Sequence, residues 1–500
     1  MTKPCLLALL HCQIFRTFVV GKLNPVIYNS TIMKKSFFII FFALAFGVVG
    51  MAQQAKYIFY FIGDGMGPNE VLLAEMYLAE LDGRIGRKRL CMTQFPYSGQ
   101  AATFSASNSI TDSSAAGTCL ASGKKTNNGT LGLTPDGKPV STVAEQLKAD
   151  GWGIGITTSV SIDHATPGAF YAHVLSRGDY YTIGTQLVDS DFDFFAGATF
   201  YKPLDPNNPD APSLYKQAAD KGYTWAHGYT DYQNLKADAQ KMILIQTHEG
   251  LTDDYAGQGM IPYAIDKKSD DLTLPQITEA AIEFLSRNDR FFLMVEGGAI
   301  DWACHGNDAA TVIGEVVEFD QAVHTAFEFY LQHPDETLIV VSADHETGGL
   351  ALGNDHYTLD LQLLQNQKLS VGVLSDQLKA LHRQYGKKLC WTQVKALLQD
   401  RLGFYTKVEI TAEEDAMLQQ QFKHSMSGKA KDVKTLYKEL SGLSDVAVRL
   451  LNKKAKLGWT TGSHSAAAVP VFAVGVGAEH FSGWHDNSEL APMILRIAGK

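Results

Sequence analysis

Short runs of apolar residues, rich in aromatic and β-branched side chains, recur along the chain and end at glycine or polar residues. Runs of this length bounded by turn residues predict buried strands of the kind found in parallel sheets. They lie at Tyr57 to Ile62, Ile154 to Val160, Phe192 to Phe195, Met242 to Thr247, Phe291 to Val295, Thr337 to Ser342 and Val469 to Val476. Because helical patterns separate several of these runs, we expect an α/β fold with a mostly parallel sheet.

The pattern changes between residues 354 and 457. Three segments there have the spacing of amphipathic helices, namely Leu363 to Leu381, Cys390 to Leu402 and Val433 to Leu451. We interpret 354–457 as a helical region inserted between two parts of one α/β domain, 53–353 and 458–500. The region either caps a site or is a packed appendage.

Residues 1–52 form a leader in this interpretation, and residues 33–52 have the features of a secretory signal peptide. Met33 opens a short basic segment, an apolar run continues to Val49, and small residues precede Gln53. The run is too short for a comfortable membrane span. We therefore expect a periplasmic or secreted protein without a stable span in its mature form. The alternative is an N-terminal anchor, and translation starts at either Met1 or Met33.

The charge of the chain limits the classes of partner. The formal net charge is −10, and the leader holds five basic residues and no acidic one, so the remainder is more acidic still. An acidic surface argues against binding to nucleic acid or to an anionic membrane. A phosphate ligand stays compatible with this charge, because bound metal ions invert the local field.

Several of the predicted strands are followed by side chains that bind metals. Asp64 follows the first run, Thr166 the second, Glu296 ends the fifth, and Asp344 and His345 follow the sixth. The carboxyl ends of parallel strands meet at one edge of a sheet, so we expect these side chains to converge. Such a set would repel itself without cations. Aspartate and histidine suit zinc, and carboxylate and hydroxyl oxygens suit magnesium.

Four further residues extend this candidate site. Asp301 and His305 are four residues apart and would face one way on a helix. His464 stands just before the last predicted strand. Arg177 offers a planar fork for phosphate oxygens, although a surface ion pair is its ordinary role. For Thr166 the corresponding alternative is a helix cap.

A polar pair, Asp112 and Ser113, directly precedes a run of small residues that continues to Gly123. This pattern predicts a helix that begins near Ser113, because alanine favours helix and aspartate caps helix N-termini. The helix dipole and free N–H groups would stabilise an alkoxide or a bound phosphate at Ser113. The alternative is an ordinary capped helix in the core.

Together these residues resemble the alkaline phosphatase family. The matching motifs are Ile110 to Thr118, Asp64-Gly65-Met66-Gly67, Ala165-Thr166-Pro167 with Arg177, Glu296 to His305, Ala343-Asp344-His345 and Gly462-Ser463-His464. The resemblance runs from about Tyr57 to the end and is loose over the helical region. It implies a three-layer α/β/α sandwich around a mostly parallel central sheet, and many members are homodimers.

The resemblance also implies a reaction and its residues. The reaction is hydrolysis of phosphate monoesters through a phosphoserine on Ser113, with Arg177 binding the phosphate. The implied ligands are Asp301, His305 and His464 for one zinc ion, Asp64, Asp344 and His345 for a second zinc ion, and Asp64, Thr166 and Glu296 for a magnesium ion. Ser114 matches a position where the family accepts glycine or alanine.

Two positions depart from the pattern of some members. His164 and Trp302 stand where those members have aspartate and lysine, which leaves metal preference and phosphate release open. A phosphodiesterase or sulfatase with the same metal pair is the nearest rival enzyme. A metal-dependent phosphate-binding protein without turnover is the rival from another class, but it gives Ser113 no role. The natural substrate, pH optimum and oligomeric state do not follow from the sequence.

Overall fold

The structure is a computed structural model that describes residues 54–246, 259–427, 432–436 and 438–500. The predicted leader at 1–52 and the predicted signal peptide at 33–52 lie outside the described residues. Among the helices of the described ranges, none has both the length and the apolar character that crossing a bilayer requires.

The strands of the described ranges are short, as the apolar runs predict. They are β1 Tyr57–Gly63, β2 Tyr97–Ala102, β3 Gly153–Thr158, β4 Phe194–Gly197, β5 Tyr223–His227, β6 Lys241–Ile245, β7 Phe291–Glu296, β8 Thr337–Ala343, β9 Glu346–Thr347, β10 Leu350–Leu352, β11 Val433–Lys434, β12 Glu439–Leu440, β13 Leu457–Trp459, β14 His464–Ser465, β15 Val469–Gly475 and β16 Gly483–Asp486.

The α-helices of the same ranges vary from one turn to nearly seven. They are α1 Pro68–Leu81, α2 Ser113–Ser122, α3 Val143–Ala149, α4 Ala165–Gly168, α5 Tyr180–Asp189, α6 Leu214–Asp220, α7 Tyr229–Leu235, α8 Leu274–Leu285, α9 Ala299–His305, α10 Ala309–Gln332, α11 Val371–Tyr385, α12 Trp391–Leu402, α13 Ala412–Met426, α14 Gly442–Lys454 and α15 Leu490–Ile497. Short 3₁₀ turns lie at Met92–Gln94, Leu361–Asn366, Gly386–Lys388, Ala478–Phe481 and Asn487–Glu489.

Within the described residues one large sheet organises the molecule. Its ten strands lie in the order β16-β2-β15-β8-β1-β7-β3-β4-β6-β5. Neighbouring strands are parallel, except that β15 runs antiparallel to β8 and to β2. Helices cover both faces. The predicted α/β/α fold with a mostly parallel central sheet is confirmed.

The central strands end at the same level, and this alignment creates the site. In the ladders Ile62 lies beside Glu296, and Gly63 lies beside Ala343. Strand β3 is in register with β7, so that Thr158 also lies beside Glu296. The residues that directly follow β1 and β8 therefore emerge next to Glu296 at one edge of the sheet.

Helix α2 carries Ser113 as its first residue, and all ten of its residues are buried. Asp112 caps it, because a carboxylate oxygen accepts a hydrogen bond of 3.0 Å from the amide of Ala115. Small side chains let it approach α4 closely. A Cβ added at Gly117 would lie 3.1 Å from the Cβ of Ala169, so even alanine there would crowd the contact.

The helical region packs around its own apolar cluster, whose members include Leu374, Leu398, Leu402, Leu418 and Leu451. The same cluster takes in Leu73 from α1 and Ala309 from α10, so the region rests on helices of the sheet domain. The helix predicted over 433–451 is wrong in its first half. There β11 and β12 pair with each other, and α14 begins only after its N-cap, Ser441.

Candidate active site

The predicted ligands meet at the edge of the sheet. Three groups of side chains have ligand atoms within 4.8 Å of one another: Asp301 with His345 and His464, Asp64 with Asp344 and His345, and Asp64 with His164 and Glu296. Strand ends supply Asp64, Glu296 and Asp344, while α9 supplies Asp301.

His305, the remaining predicted histidine ligand, lies directly beside the first group. Its Nε2 lies 3.3 Å from Asp301 Oδ2 and 3.3 Å from His464 Nε2, and His464 Nε2 lies 3.6 Å from Asp301 Oδ1. Asp301 and His305 share one face of α9, since they are four residues apart on a helix. These three side chains therefore present their ligand atoms to a common point.

The second group centres on His345. Its Nε2 lies 3.4 Å from Asp64 Oδ1 and 3.2 Å from Asp344 Oδ2. The other oxygen of Asp344 accepts hydrogen bonds from the backbone amides of Gly65 and His345, at 3.1 and 2.9 Å. These bonds fix the carboxylate and leave Oδ2 pointing at the imidazole.

The third group joins Asp64 to the end of β7. The hydroxyl of Thr166 donates a hydrogen bond of 3.3 Å to Asp64 Oδ2, and that of Thr158 donates to Glu296. His164 belongs to this group as a buried potential ligand. The sequence marked His164 only as a departure from the family pattern. Thr158 was missed, although it lies within the strand predicted over Ile154 to Val160 and is the last residue of β3.

The histidine rings are held so that Nε2 faces the clusters. His305 Nδ1 lies 2.7 Å from the carbonyl of Gly462, and His464 Nδ1 lies 2.8 Å from that of Thr111. A carbonyl only accepts, so Nδ1 carries the proton and Nε2 keeps its lone pair for a metal. Contacts of this kind are typical of histidines that bind metal ions.

Thr347 orients the third histidine in the same way. Its hydroxyl donates to Asp301 Oδ1 at 2.6 Å and lies 3.2 Å from His345 Nδ1. Since the hydroxyl has one proton, His345 Nδ1 must donate to it, and Nε2 again keeps its lone pair. No feature of the sequence marked Thr347, which lies two residues after His345 on β9.

The buried carboxylates fit divalent cations. In the described part of the chain, one oxygen of each of the following is buried and accepts no hydrogen bond: Asp64, Glu296, Asp301 and Asp344. Burial and the neighbouring Asp344 raise the pKa of Asp64 well above its usual range, and burial raises the pKa of Glu296 to about 7. Burial thus favours the protonated form of both side chains, and a bound cation would favour the ionised form instead.

The two adjacent serines face different ways. Ser113 Oγ lies 3.2 Å from His345 Nε2 and thus borders the second group. Ser114 Oγ instead donates a hydrogen bond of 2.6 Å to Asp112 Oδ2. Only the first hydroxyl is directed at the candidate metal ligands.

Arg177 lies between Asp112 and His164 and contacts both side chains. Its Nη1 lies 3.2 Å from Asp112 Oδ2, and its Nη2 lies 3.3 Å from His164 Nε2. Burial acts to raise the pKa of Asp112, but the charge of Arg177 contributes to holding it below its usual value. The guanidinium thus lies beside His164, a member of the third group of candidate ligands.

A cavity of about 1590 Å³ opens over these groups. Its lining includes Asp112, Arg177 and His464 on the sheet side and Val371 and Leu440 on the side of the helical region. The helical region therefore supplies one wall of the space in front of the site.

Hydrogen bonds also tie the helical region to the ligand-bearing loops. Arg449 of α14 donates to Asn307 Oδ1 at 2.8 Å. The amide of Asn307 in turn donates to the carbonyls of Cys304 and Thr461, at 3.1 and 2.9 Å. Asn307 has a left-handed backbone, with φ 46°, and follows the helix that ends at His305 after one residue, the C-cap Gly306. It joins the segments that carry His305 and His464.

The protein-family model described as "Alkaline phosphatase" matches residues 55–191 and 198–499. The chain belongs to the alkaline phosphatase family. It is therefore a hydrolase that acts on phosphate monoesters, and the family is metal-dependent. The resemblance seen in the sequence motifs is confirmed.

Relatives of known name agree with this membership. The chain is 31% identical over 398 residues to alkaline phosphatase 4 of Bacillus subtilis, covering 78% of this chain and 76% of that protein. It is 30% identical over 459 residues to alkaline phosphatase 3 of the same species, covering 89% and 90%. The crystal structure of a cold-active alkaline phosphatase from a psychrophilic Shewanella is also similar. It has a TM-score of 0.73 at 28% identity and covers 89% of this chain and all of that one.

Proposed function

We propose that the protein is a periplasmic or secreted alkaline phosphatase that works through a phosphoserine on Ser113, with two zinc ions and one magnesium ion. The observation that carries this proposal is the position of Ser113 Oγ. It lies at the N-terminus of a buried helix and 3.2 Å from His345 Nε2, beside the three candidate ligand groups.

The donor sets support the choice of ions. Asp301, His305 and His464 would hold one zinc ion, because imidazole nitrogens with one carboxylate are typical zinc ligands. Asp64, Asp344 and His345 would hold the second zinc ion. Asp64, Thr166 and Glu296 would hold magnesium through oxygen atoms. When bound, such ions supply Lewis acidity and lower the pKa of a coordinated hydroxyl or water.

The chain's own residues bind and orient the ester. Arg177 donates to two non-bridging oxygens of the phosphate, and the amides at the start of α2 face the same group. Ser113 Oγ then forms a bond to phosphorus while the bond from phosphorus to the alcohol oxygen breaks. The alcohol leaves with the proton of the Ser113 hydroxyl. Water then attacks phosphorus, the bond from phosphorus to Ser113 Oγ breaks, and one proton of the water returns to Oγ as phosphate leaves.

The proposal is tested by comparing three esters of one leaving group on the purified protein. We expect release of p-nitrophenol from the phosphate monoester to exceed release from the phosphodiester and the sulfate ester by about 10³-fold or more in kcat/KM. Metal analysis of the same sample should find zinc and magnesium. Equal rates on monoester and diester would contradict the proposal, as would phosphate binding without turnover.

The proposed location has its own test. The mature protein should be recovered outside the cytoplasm, with an N-terminus near Gln53. Sequencing that N-terminus from fractionated cells checks the predicted signal peptide at 33–52. A full-length chain in the cytoplasmic fraction would contradict it.

Replacing Arg177 with lysine is expected to weaken phosphate binding while leaving measurable turnover. Lysine keeps one positive charge but loses the planar fork that holds two oxygens and also meets Asp112. We expect the KM and the inhibition constant of inorganic phosphate to rise about tenfold, with a smaller fall in kcat. Steady-state assays with phosphate as inhibitor measure both. Arg383→Lys, at an exposed helical position, is the control, and an unchanged phosphate inhibition constant for Arg177→Lys would remove this residue from the site.

Replacing His164 with aspartate is expected to increase the dependence of activity on magnesium. His164 lies with Asp64 and Glu296 in the third group, and a carboxylate there suits magnesium better than an imidazole. We expect magnesium to bind to the metal-depleted variant about tenfold more tightly than to the metal-depleted wild type. Magnesium titrations followed by calorimetry and by activity test this. His382→Asp serves as an exposed control, and superimposable titrations of variant and wild type would count against the assignment.

A further inference from the structure

Three aromatic side chains stand together beside Arg177 in the active-site cavity. Tyr180 and Tyr201 have ring centroids 4.8 Å apart, and the Trp302 ring lies 5.9 Å from that of His164. His164 in turn lies 3.3 Å from the Arg177 guanidinium. All three aromatic residues line the cavity that contains Arg177 and the candidate metal ligands. We call Tyr180, Tyr201 and Trp302 the aromatic wall.

A glycine makes the wall continuous. A Cβ built on Gly259 would lie 2.8 Å from Trp302 Cη2 and 3.5 Å from Tyr201 Cδ2. The two rings therefore approach each other across a residue that has no side chain. A Cβ at this position would displace the Trp302 ring, while Tyr201 would lie at an ordinary contact distance.

The backbone under the wall is fixed. The amide of Tyr201 donates to both carboxylate oxygens of the buried Asp163, at 2.9 and 3.0 Å. The carbonyl of Gly259 accepts from the amide of Ser161 at 2.8 Å. The backbone that carries Tyr201 and separates it from Trp302 is thus fixed before a ligand arrives, which reduces the entropy lost on binding.

The wall keeps apolar surface in contact with solvent. Tyr201 is 39% exposed, and Tyr180 and Trp302 are half-buried. Lys202 Nζ lies over the two tyrosine rings, 5.2 and 5.8 Å from their centroids. Lys202 is itself exposed, so an incoming ring that displaces it breaks only a weak cation–π contact.

The chemistry of the site places the alcohol part of the ester in this space. The phosphate is bound by Arg177 and the metal-ligand groups, so the rest of the substrate must extend into the remaining cavity. At about 1590 Å³, that cavity is much larger than a phosphate and a small alcohol require. Aromatic side chains stack on planar rings and stabilise a bound base by roughly tenfold or more in affinity.

We propose that the aromatic wall binds the base of nucleoside 5′-monophosphates and makes them preferred over monoesters of sugars and simple alcohols. This inference rests on the proposed function, because it takes the phosphate to bind at Arg177. The wall acts through the planar ring of the leaving alcohol and does not touch the reacting atoms.

The test compares adenosine 5′-monophosphate with ribose 5-phosphate, because both release a primary 5′ alcohol and only one carries a base. We expect kcat/KM for adenosine 5′-monophosphate to be about tenfold higher, mainly through a lower KM. The ratio of the two kcat/KM values should fall towards one in Tyr201→Leu and in Tyr180→Leu. Tyr201→Phe keeps the ring and should keep the ratio.

Two comparisons complete the design. Tyr385, which is also 39% exposed but does not line the cavity, gives the control Tyr385→Leu, whose ratio should match wild type. Benzyl phosphate against cyclohexylmethyl phosphate separates stacking on a planar ring from general apolar contact, and we expect the benzyl ester to be favoured. A wild-type ratio near one, or a ratio unchanged in both leucine variants, would overturn the proposed role of the aromatic wall and leave the proposed function standing. Failure to hydrolyse any of these esters would overturn the proposed function as well.

Discussion

Ser113→Ala is expected to lower kcat/KM for phosphate monoesters by about 10³-fold or more, whereas Ser114→Ala should change it by less than about threefold. The reason is the direction of the two hydroxyls. Ser113 Oγ lies beside His345, while Ser114 Oγ is turned to Asp112 and away from the ligand groups. Successive residues of a helix differ by about 100° in direction, so only one of the two hydroxyls faces the candidate metal ligands.

The decisive measurement is the location of the covalent phosphate. The protein is mixed with labelled substrate, quenched in acid, digested and mapped, and we expect the label on Ser113 in the wild type and in Ser114→Ala. Ser114→Ala is a matched control, because it removes a hydroxyl from the neighbouring position of the same helix. Label on Ser114 would contradict the assignment, as would the absence of any covalent label under conditions that slow dephosphorylation.

Removal of bound metal is expected to lower activity to below about 1% and to lower the thermal midpoint of unfolding by about 5 °C or more. The second effect follows from burial. Asp64, Asp301 and Asp344 lie close together in the interior, and each has one buried oxygen that accepts no hydrogen bond in the described part of the chain. Without cations these carboxylates repel one another or must take up protons, and either costs folding free energy.

Dialysis against a chelator, with metal analysis to verify depletion, tests both effects on one sample. A chelator already saturated with zinc is the control and should leave activity and midpoint unchanged. Adding zinc with magnesium to the depleted protein should restore both. Full activity in a verified metal-free sample would contradict the proposed chemistry, and an unchanged midpoint would contradict the account of the buried carboxylates.

The sequence predicts the sheet well where local pattern decides the structure. The apolar runs before Asp64, Glu296 and Asp344 form the three central strands, and their common level follows from parallel pairing. Convergence of the ligand-bearing residues could therefore be predicted from strand ends alone. The side chains that orient those candidate ligands could not be predicted. Thr347, for example, acts through a hydrogen bond to Asp301, which is distant from it in the sequence.

Strands that depend on long-range pairing were missed. The segment Tyr97–Ala102 contains small and polar residues and has no apolar run, yet it forms β2 because β15 and β16 pair with it. The helix predicted over 433–451 was based on apolar spacing, although a helix-capping residue inside this segment indicates a later start. Ser441 followed by Gly442 marks the actual start of α14, since serine is a favoured N-cap.

The position of β15 inside the sheet has a consequence for how the enzyme is made. This strand lies between β2 and β8, and His464 precedes it by only five residues. The pairs that β15 forms join residues more than a hundred positions apart, and such contacts form late in folding. His464 belongs to the first group of candidate ligands, so this group is complete only after a ribosome has made nearly the whole polypeptide. If His464 is a ligand as proposed, we expect the growing chain to be inactive towards phosphate esters until this last part has been made.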